Sequence, residues 1–167
     1  LVMWMQYLET RLGDDIRIIL HGRSMGAAAV LMAAGSGIAP ESLIGVIADS
    51  SFDTLDNQMS FLMQRNYKFQ FRPFINLVQK VALKRFGFPV EKATPVKVAS
   101  RIDVPVLIFH GTDDHLVPPE MGDHIYNNIR APKRICLIEG AAHVMGYDAA
   151  PEKDSAEIDK VKDSLTD

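Results

Sequence analysis

Four short apolar runs stand out along the chain, and each of them ends in a cluster of polar or glycine residues. Runs of this length that are rich in Ile, Val and Leu are typical of strands buried on both faces of a parallel sheet. The sequence therefore predicts four strands, over residues 16–20, 43–48, 104–109 and 134–138.

The segments between these runs carry apolar residues at helical spacing, which predicts amphipathic helices. The predicted helices cover residues 2–12, 27–34, 55–65, 74–86, 121–129 and 151–165. Strands that alternate with helices predict an α/β fold, in which helices flank a parallel sheet and the crossovers are right-handed. No linker or internal repeat divides the 167 residues, so we expect a single domain.

The longest stretch without a predicted strand runs over residues 53–100. Its first helix places apolar side chains on one face, at positions 55, 59, 62 and 63. Two interpretations fit this pattern. The segment is either a small helical cap whose apolar face forms an acyl or alcohol pocket, or an ordinary pair of helices that covers the core of the sheet.

The first strand leads through the sequence HGRSMG directly into a helix. Gly22, Ser24 and Gly26 form a Gly-x-Ser-x-Gly pattern, in which the glycines let strand and helix approach and the serine is exposed on a strained turn. The first amides of the helix face the point where negative charge develops during attack on a carbonyl. We predict Ser24 as a nucleophile and the Met25 N–H as an oxyanion donor; the alternative is a serine with a purely structural place in the turn.

A serine nucleophile needs a base, and the base needs a carboxylate that fixes its tautomer. Asp114 follows the third strand and His143 follows the fourth. Because parallel strands deliver their carboxyl ends to one edge of the sheet, we expect both residues to meet Ser24 there. Asp113, as a turn residue, and Asp49, as a loop-capping residue after the second strand, are the other candidate acids.

These features resemble the α/β-hydrolase superfamily, whose members carry the elbow, the acid and the base in the same order along the chain. The sequence HGTDDHLVP resembles the strand-end pattern HGxxDxxVP that carries the acid, and EGAAH resembles the Gly-x-x-His loop that carries the base. Counting back from Val117-Pro118 selects Asp114. The elbow GRSMG is similar to that of cap-poor, peptidase-like members of the superfamily.

The resemblance implies a serine hydrolase that cleaves carboxylic esters through an acyl-enzyme, with a small-molecule ester or amide as substrate. Two alternatives remain. The first is an amidase or peptidase of the same fold, which uses the same residues, and the second is a non-catalytic binding module, which keeps the fold without turnover. A complete α/β-hydrolase sheet has more than four strands, and an early loop supplies a second oxyanion donor. We therefore expect the carboxyl-terminal portion of a larger domain that lacks its first strands, leaves residues 16–20 as an exposed edge, and self-associates there.

Composition narrows the remaining function classes. A formal net charge of −3 argues against a nucleic-acid partner, and no apolar run reaches the length of a membrane span. Cys136 is the single cysteine, which excludes an internal disulfide and favours a buried thiol in a reducing, cytoplasmic location.

The histidines other than His143 show no metal-ligand spacing, so we expect no metal. His21 and His110 end strands and are predicted to be packed, whereas His115 and His124 are predicted to face solvent or a helix surface. No Gly-rich phosphate-binding pattern follows a strand, and we expect no nucleotide cofactor.

Overall fold

The apolar runs form one parallel sheet in the computed structural model, which describes residues 1–13, 15–68, 72–87 and 92–145. Helices join the strands in the predicted alternation, and the predicted helix at residues 151–165 lies outside the described residues. The elements are α1 (Val2–Leu12), β1 (Ile18–Arg23), α2 (Met25–Ala34), β2 (Leu43–Asp49), α3 (Leu55–Tyr67), α4 (Arg72–Phe86), α5 (Pro95–Val98), β3 (Val106–Gly111), α6 (Pro119–Asn128) and β4 (Lys133–Ile138).

The described sheet has the strand order β1-β2-β3-β4, and all its neighbouring strands are parallel. The first three strands extend beyond the ends of their apolar runs: Arg23 pairs with Asp49, and Asp49 pairs with Phe109. These polar residues join the ladder because strand pairing satisfies backbone groups whatever the side chain is. The extension carries the polar strand ends together to one edge of the sheet.

The two faces of the central strands enter two different hydrophobic clusters. Val46 and Ile108 belong to the larger cluster, which α1, α2 and α6 also line. Ile47 and Leu107 point to the opposite face and belong to the second cluster. This alternation explains why the central strands read as continuous apolar runs, since both of their faces are buried.

The helix α2 packs against the sheet partly through small side chains, including the buried Ala27 and Ala34. Close approach is strictest at Gly22, where an added Cβ atom would lie 2.2 Å from the Gly26 carbonyl oxygen. An added Cβ atom at Gly26 meets no atom within 4 Å. The expectation that both glycines permit the approach therefore holds for Gly22 and is wrong for Gly26.

Replacing each of these two glycines with alanine gives a matched pair of variants. We expect Gly22→Ala to lower the free energy of unfolding by about 2 kcal/mol or more, because the clash is between backbone atoms and no rotamer relieves it. Gly26→Ala is the control and is expected to be nearly neutral. Urea denaturation measures both, and equal stability of the two variants would contradict the packing argument.

The strand β1 is an edge of the described sheet, and the neighbouring α1 exposes Trp4 and Leu12 to 65% and 67%. An edge strand presents unpaired backbone groups that can pair with another chain. Self-association of this chain stays a prediction, and sedimentation velocity at micromolar concentration measures it. A single monomeric species would contradict it.

Two local expectations differ from the structure. His21 is exposed, although its position in a strand led us to expect packing, because β1 has a neighbour on one side only among the described strands. Cys136 is partly rather than fully buried on the strand β4, where it packs against the second cluster.

Candidate active site

Ser24 occupies a sharp turn between β1 and α2. Its φ and ψ angles are 54° and −120°, a region that residues with a side chain rarely adopt. The Ser24 N–H donates a hydrogen bond of 2.8 Å to the Asp49 carbonyl oxygen, which fastens the turn to β2. The strained turn and the close contact at Gly22 together present the hydroxyl at the polar edge of the sheet.

His143 connects the serine to a carboxylate. The distance from His143 Nε2 to Ser24 Oγ is 2.9 Å, and the distance from His143 Nδ1 to Asp114 Oδ2 is 2.7 Å. A proton on Nδ1 donates to the carboxylate and leaves Nε2 free to accept from the serine hydroxyl. The structure thus brings together the three side chains that the sequence analysis singled out, although Ser24 and His143 are 119 residues apart.

Asp114 is buried and is surrounded by donors. Its Oδ1 atom accepts the Leu116 N–H at 2.9 Å and the Val117 N–H at 2.8 Å, while His110 Nε2 lies 3.4 Å from Oδ2. Burial alone raises the pKa of this carboxyl, but the hydrogen bonds from His110, the Val117 N–H, His143 and the Leu116 N–H outweigh it. They lower the pKa from 3.8 to about 2.

The lowered pKa of Asp114 predicts a defined acid dependence of stability. A carboxyl whose pKa is lower in the folded state stabilises the protein above its unfolded pKa of 3.8, and this contribution is lost as the pH falls through about 2. We expect the group to contribute about 2 kcal/mol to the free energy of unfolding at pH 7. Denaturation of Asp114→Asn between pH 5 and pH 2 should lack this part of the acid slope. Asp113→Asn is the matched control, and equal slopes for both variants would contradict the assignment.

The other two candidate acids lie elsewhere. Asp113 is exposed, and its backbone N–H donates to the Ala141 carbonyl oxygen at 3.0 Å. The carboxylate of Asp49 accepts Arg23 Nε at 3.2 Å and Ser50 Oγ at 2.9 Å. Of the three aspartates, Asp114 is therefore the one whose carboxylate contacts His143.

A polar network that the sequence analysis missed holds the residue after His143. Val144 has a φ angle of 51°, an outlier for a β-branched residue. Its carbonyl oxygen accepts a hydrogen bond from the Arg23 guanidinium, and its N–H donates to Ser50 Oγ at 3.3 Å. The carboxylate of Asp49 contacts both Arg23 and Ser50. In the sequence, the arginine of the elbow motif was the one feature that could have indicated this network. Its partner Val144 lies 121 residues away, however, so no local pattern connects the two.

Met25 is the first residue of α2. The first N–H groups of a helix have no acceptor within the helix, and the helix dipole is positive there. The Met25 N–H is therefore available beside the serine for an anion. The Met25 side chain is 76% exposed and begins an apolar groove of about 700 Å³ along α2, further lined by Ala28, Met32, Phe52 and Leu55.

The remaining histidines have ordinary environments. His110 is fully buried, and His115 is exposed, as expected. His124 lies on the surface with its Nδ1 atom 2.9 Å from Asp53 Oδ2. Among residues 1–13, 15–68, 72–87 and 92–145, no group of three or more His, Cys, Asp or Glu side chains could hold a metal ion. The helices in these ranges include none with the length and apolar character needed to cross a membrane.

Solved structures with the same arrangement of strands and helices define the class of protein. The acetyl xylan esterase from Paenibacillus sp. R4 has a TM-score of 0.69 at 19% identity, with 96% of this chain and 50% of that chain covered. The acylaminoacyl peptidase from Pyrococcus horikoshii has a TM-score of 0.65 at 15% identity, with 91% and 24% covered. The chain is therefore an α/β-hydrolase by fold.

Sequence comparisons find similarity over parts of the chain. Residues 92–149 match the family described as Serine aminopeptidase, S33, and this stretch contains both Asp114 and His143. The protein YqkD from Bacillus subtilis (strain 168) is 29% identical over 128 residues, which make up 77% of this chain and 42% of YqkD. The chain thus spans about two fifths of the length of this relative.

Proposed function

We propose that the protein is a serine hydrolase that cleaves carboxylic esters through an acyl-enzyme. The observation that carries this proposal is the continuous line of hydrogen bonds from Ser24 Oγ through His143 to the Asp114 carboxylate, at 2.9 Å and 2.7 Å. The strained backbone of Ser24 and the position of Met25 at the start of α2 support it further.

In this mechanism Ser24 Oγ attacks the acyl carbon while its proton moves to His143 Nε2. The carbonyl oxygen becomes an anion and accepts the Met25 N–H, and Asp114 stabilises the imidazolium. Collapse of the tetrahedral intermediate breaks the bond to the alcohol, which leaves with the proton from Nε2. Water then repeats both steps on the acyl-enzyme, which releases the acid and restores Ser24.

The groove along α2 favours an uncharged, apolar group on the substrate, because Met25, Ala28, Met32, Phe52 and Leu55 line it. It starts at the residue next to Ser24, so a bound acyl or alcohol group there would reach the hydroxyl. We propose that α3 and α4, in the segment 53–100, form a small cap over this side of the domain. From this segment, Leu55 at the start of α3 and Ala93 line the groove.

A second candidate function is hydrolysis of amides or peptides by the same residues. The match of residues 92–149 to a serine aminopeptidase family favours it. Amide cleavage differs in that His143 must protonate a poor leaving amine, so the rate depends on how well the base is held. A panel of matched p-nitrophenyl esters and p-nitroanilides distinguishes the two, and turnover of the ester alone would reject the amidase.

Labelling with a fluorophosphonate, read as a mass increase of the intact chain, tests the proposal. We expect one label on the wild type and none on Ser24→Ala, because the probe reacts with a serine that a base has activated. Ser36→Ala, at a serine between α2 and β2, is the matched control and should be labelled like the wild type. Absence of labelling in the wild type would contradict an activated Ser24 in this chain and favour a non-catalytic binding module.

A further inference from the structure

Three consecutive carbonyl groups follow Asp114, and each accepts a hydrogen bond from a side chain. The Arg65 guanidinium donates to the His115 carbonyl oxygen, Gln58 Nε2 donates to the Leu116 carbonyl oxygen at 2.8 Å, and His110 Nε2 lies 2.9 Å from the Val117 carbonyl oxygen. Two of these donors, Gln58 and Arg65, belong to α3. The loop that carries the acid is thus held from the side of the segment 53–100.

The two donors on α3 are connected to the carboxylate through the peptide groups of the loop. The His115 carbonyl and the Leu116 N–H belong to one peptide group, and that N–H donates to Asp114 Oδ1 at 2.9 Å. The Leu116 carbonyl and the Val117 N–H belong to the next, which donates to the same oxygen at 2.8 Å. In a trans peptide the carbonyl and the N–H point in opposite directions, so each peptide dipole lies between a donor on α3 and the anion. Hydrogen bonds arranged in such a chain polarise and strengthen one another.

Gln58 is an unusual residue to bury at this place. Among the described residues of α3 it is the only buried one, while the apolar face around it is only partly buried. Its Oε1 atom has no hydrogen-bond partner within the described residues, a state that costs stability. An apolar side chain would suit packing better, so the amide is explained by the hydrogen bond that it donates to the loop.

We propose that Gln58 and Arg65 are positioning residues for Asp114, which they hold toward His143 by orienting and polarising the peptide groups after His115 and Leu116. This inference rests on the proposed function of Asp114. The two side chains touch neither the reacting atoms nor His143; they act on the acid through the backbone of its loop.

The test compares two variants with matched controls in the fluorophosphonate assay. We expect Gln58→Met and Arg65→Met each to lower the labelling rate by about tenfold, the effect of losing one hydrogen bond that supports a charged group. Arg65→Lys keeps a cationic donor and should recover most of the rate. Gln64→Met, at an exposed position of α3, and Arg85→Met, at an exposed position of α4, should label like the wild type. Urea denaturation should show Gln58→Met losing stability at neutral pH, and most of this loss should disappear near pH 2, where the Asp114 carboxylate no longer contributes, which separates an effect on the carboxylate from a general loss of folding.

A second measurement does not depend on activity. Titration of the Asp114 carboxyl by carbon-13 NMR should show its pKa rising from about 2 toward 3.8 in Gln58→Met and Arg65→Met, and not in the controls. If the wild type labels and the two variants label equally fast with an unchanged pKa, the inference is overturned while the proposed function stands. If the wild type does not label, the proposed function fails, and the titration still decides whether α3 acts on the carboxylate.

Discussion

Replacement of His143 with alanine is expected to lower the rate of fluorophosphonate labelling and of ester acylation by about 100- to 10,000-fold. In the proposed mechanism, the serine proton moves along the contact of 2.9 Å between Ser24 Oγ and His143 Nε2 as the bond to the acyl carbon forms. Without the imidazole, the neutral hydroxyl is a weak nucleophile. Pre-steady-state release of p-nitrophenol from an activated ester measures the acylation step directly.

His21→Ala is the matched control for this variant, because His21 is exposed on β1 at the start of the same elbow sequence. It should leave the acylation rate unchanged. Added imidazole should restore part of the activity of His143→Ala, since the space left by the ring lies next to Ser24. An unchanged rate in His143→Ala would remove this residue from the mechanism.

Replacement of Asp114 with asparagine is expected to lower turnover on the order of 10,000-fold while the side chain keeps its size. The surroundings determine how the new amide must lie. The Leu116 and Val117 N–H groups both donate at the Oδ1 position, so the amide oxygen has to stay there. The amide nitrogen then takes the Oδ2 position, 2.7 Å from His143 Nδ1, and donates to it. His143 is thereby driven to carry its proton on Nε2, where it can no longer accept the proton of Ser24.

The same substitution at the other two candidate acids supplies the controls. Asp113→Asn changes an exposed carboxylate and should leave turnover unchanged. Asp49→Asn weakens the contacts to Arg23 and Ser50, so we expect a smaller loss than for Asp114→Asn. The ester turnover rate of the three variants, measured side by side, tests this order. A larger loss at Asp49 than at Asp114 would contradict the choice of the acid.

The parallel sheet and the alternation of strands and helices were predictable because both depend on short-range patterns. A run such as residues 104–109 needs no knowledge of its neighbours to be recognised as a buried strand. The predicted fold class, a parallel sheet with flanking helices, is confirmed. The ends of the strands were less predictable, because Arg23 and Asp49 extend the ladder through a partner that only the assembled sheet provides.

The segment 53–100 shows the limit of periodicity. Its helices were predicted at residues 55–65 and 74–86, and α3 and α4 cover these ranges. The pattern also indicated an apolar face on the first helix, yet the buried side chain there is Gln58. A hydrophobic pattern describes how well a residue tolerates burial, whereas Gln58 is buried because the Leu116 carbonyl oxygen lies within its reach.

The sequence by itself determined the elements, the parallel sheet, the elbow at Ser24 and the order in which serine, aspartate and histidine follow the strands. These features depend on neighbouring residues, since backbone preference and burial act over a few positions. The family pattern already favoured Asp114, but only the tertiary structure decided that its carboxylate contacts His143, that Arg23 reaches Val144, and that α3 holds the acid loop. Such contacts join residues that are tens of positions or more apart, and their distances follow from how strands and helices pack rather than from any local pattern.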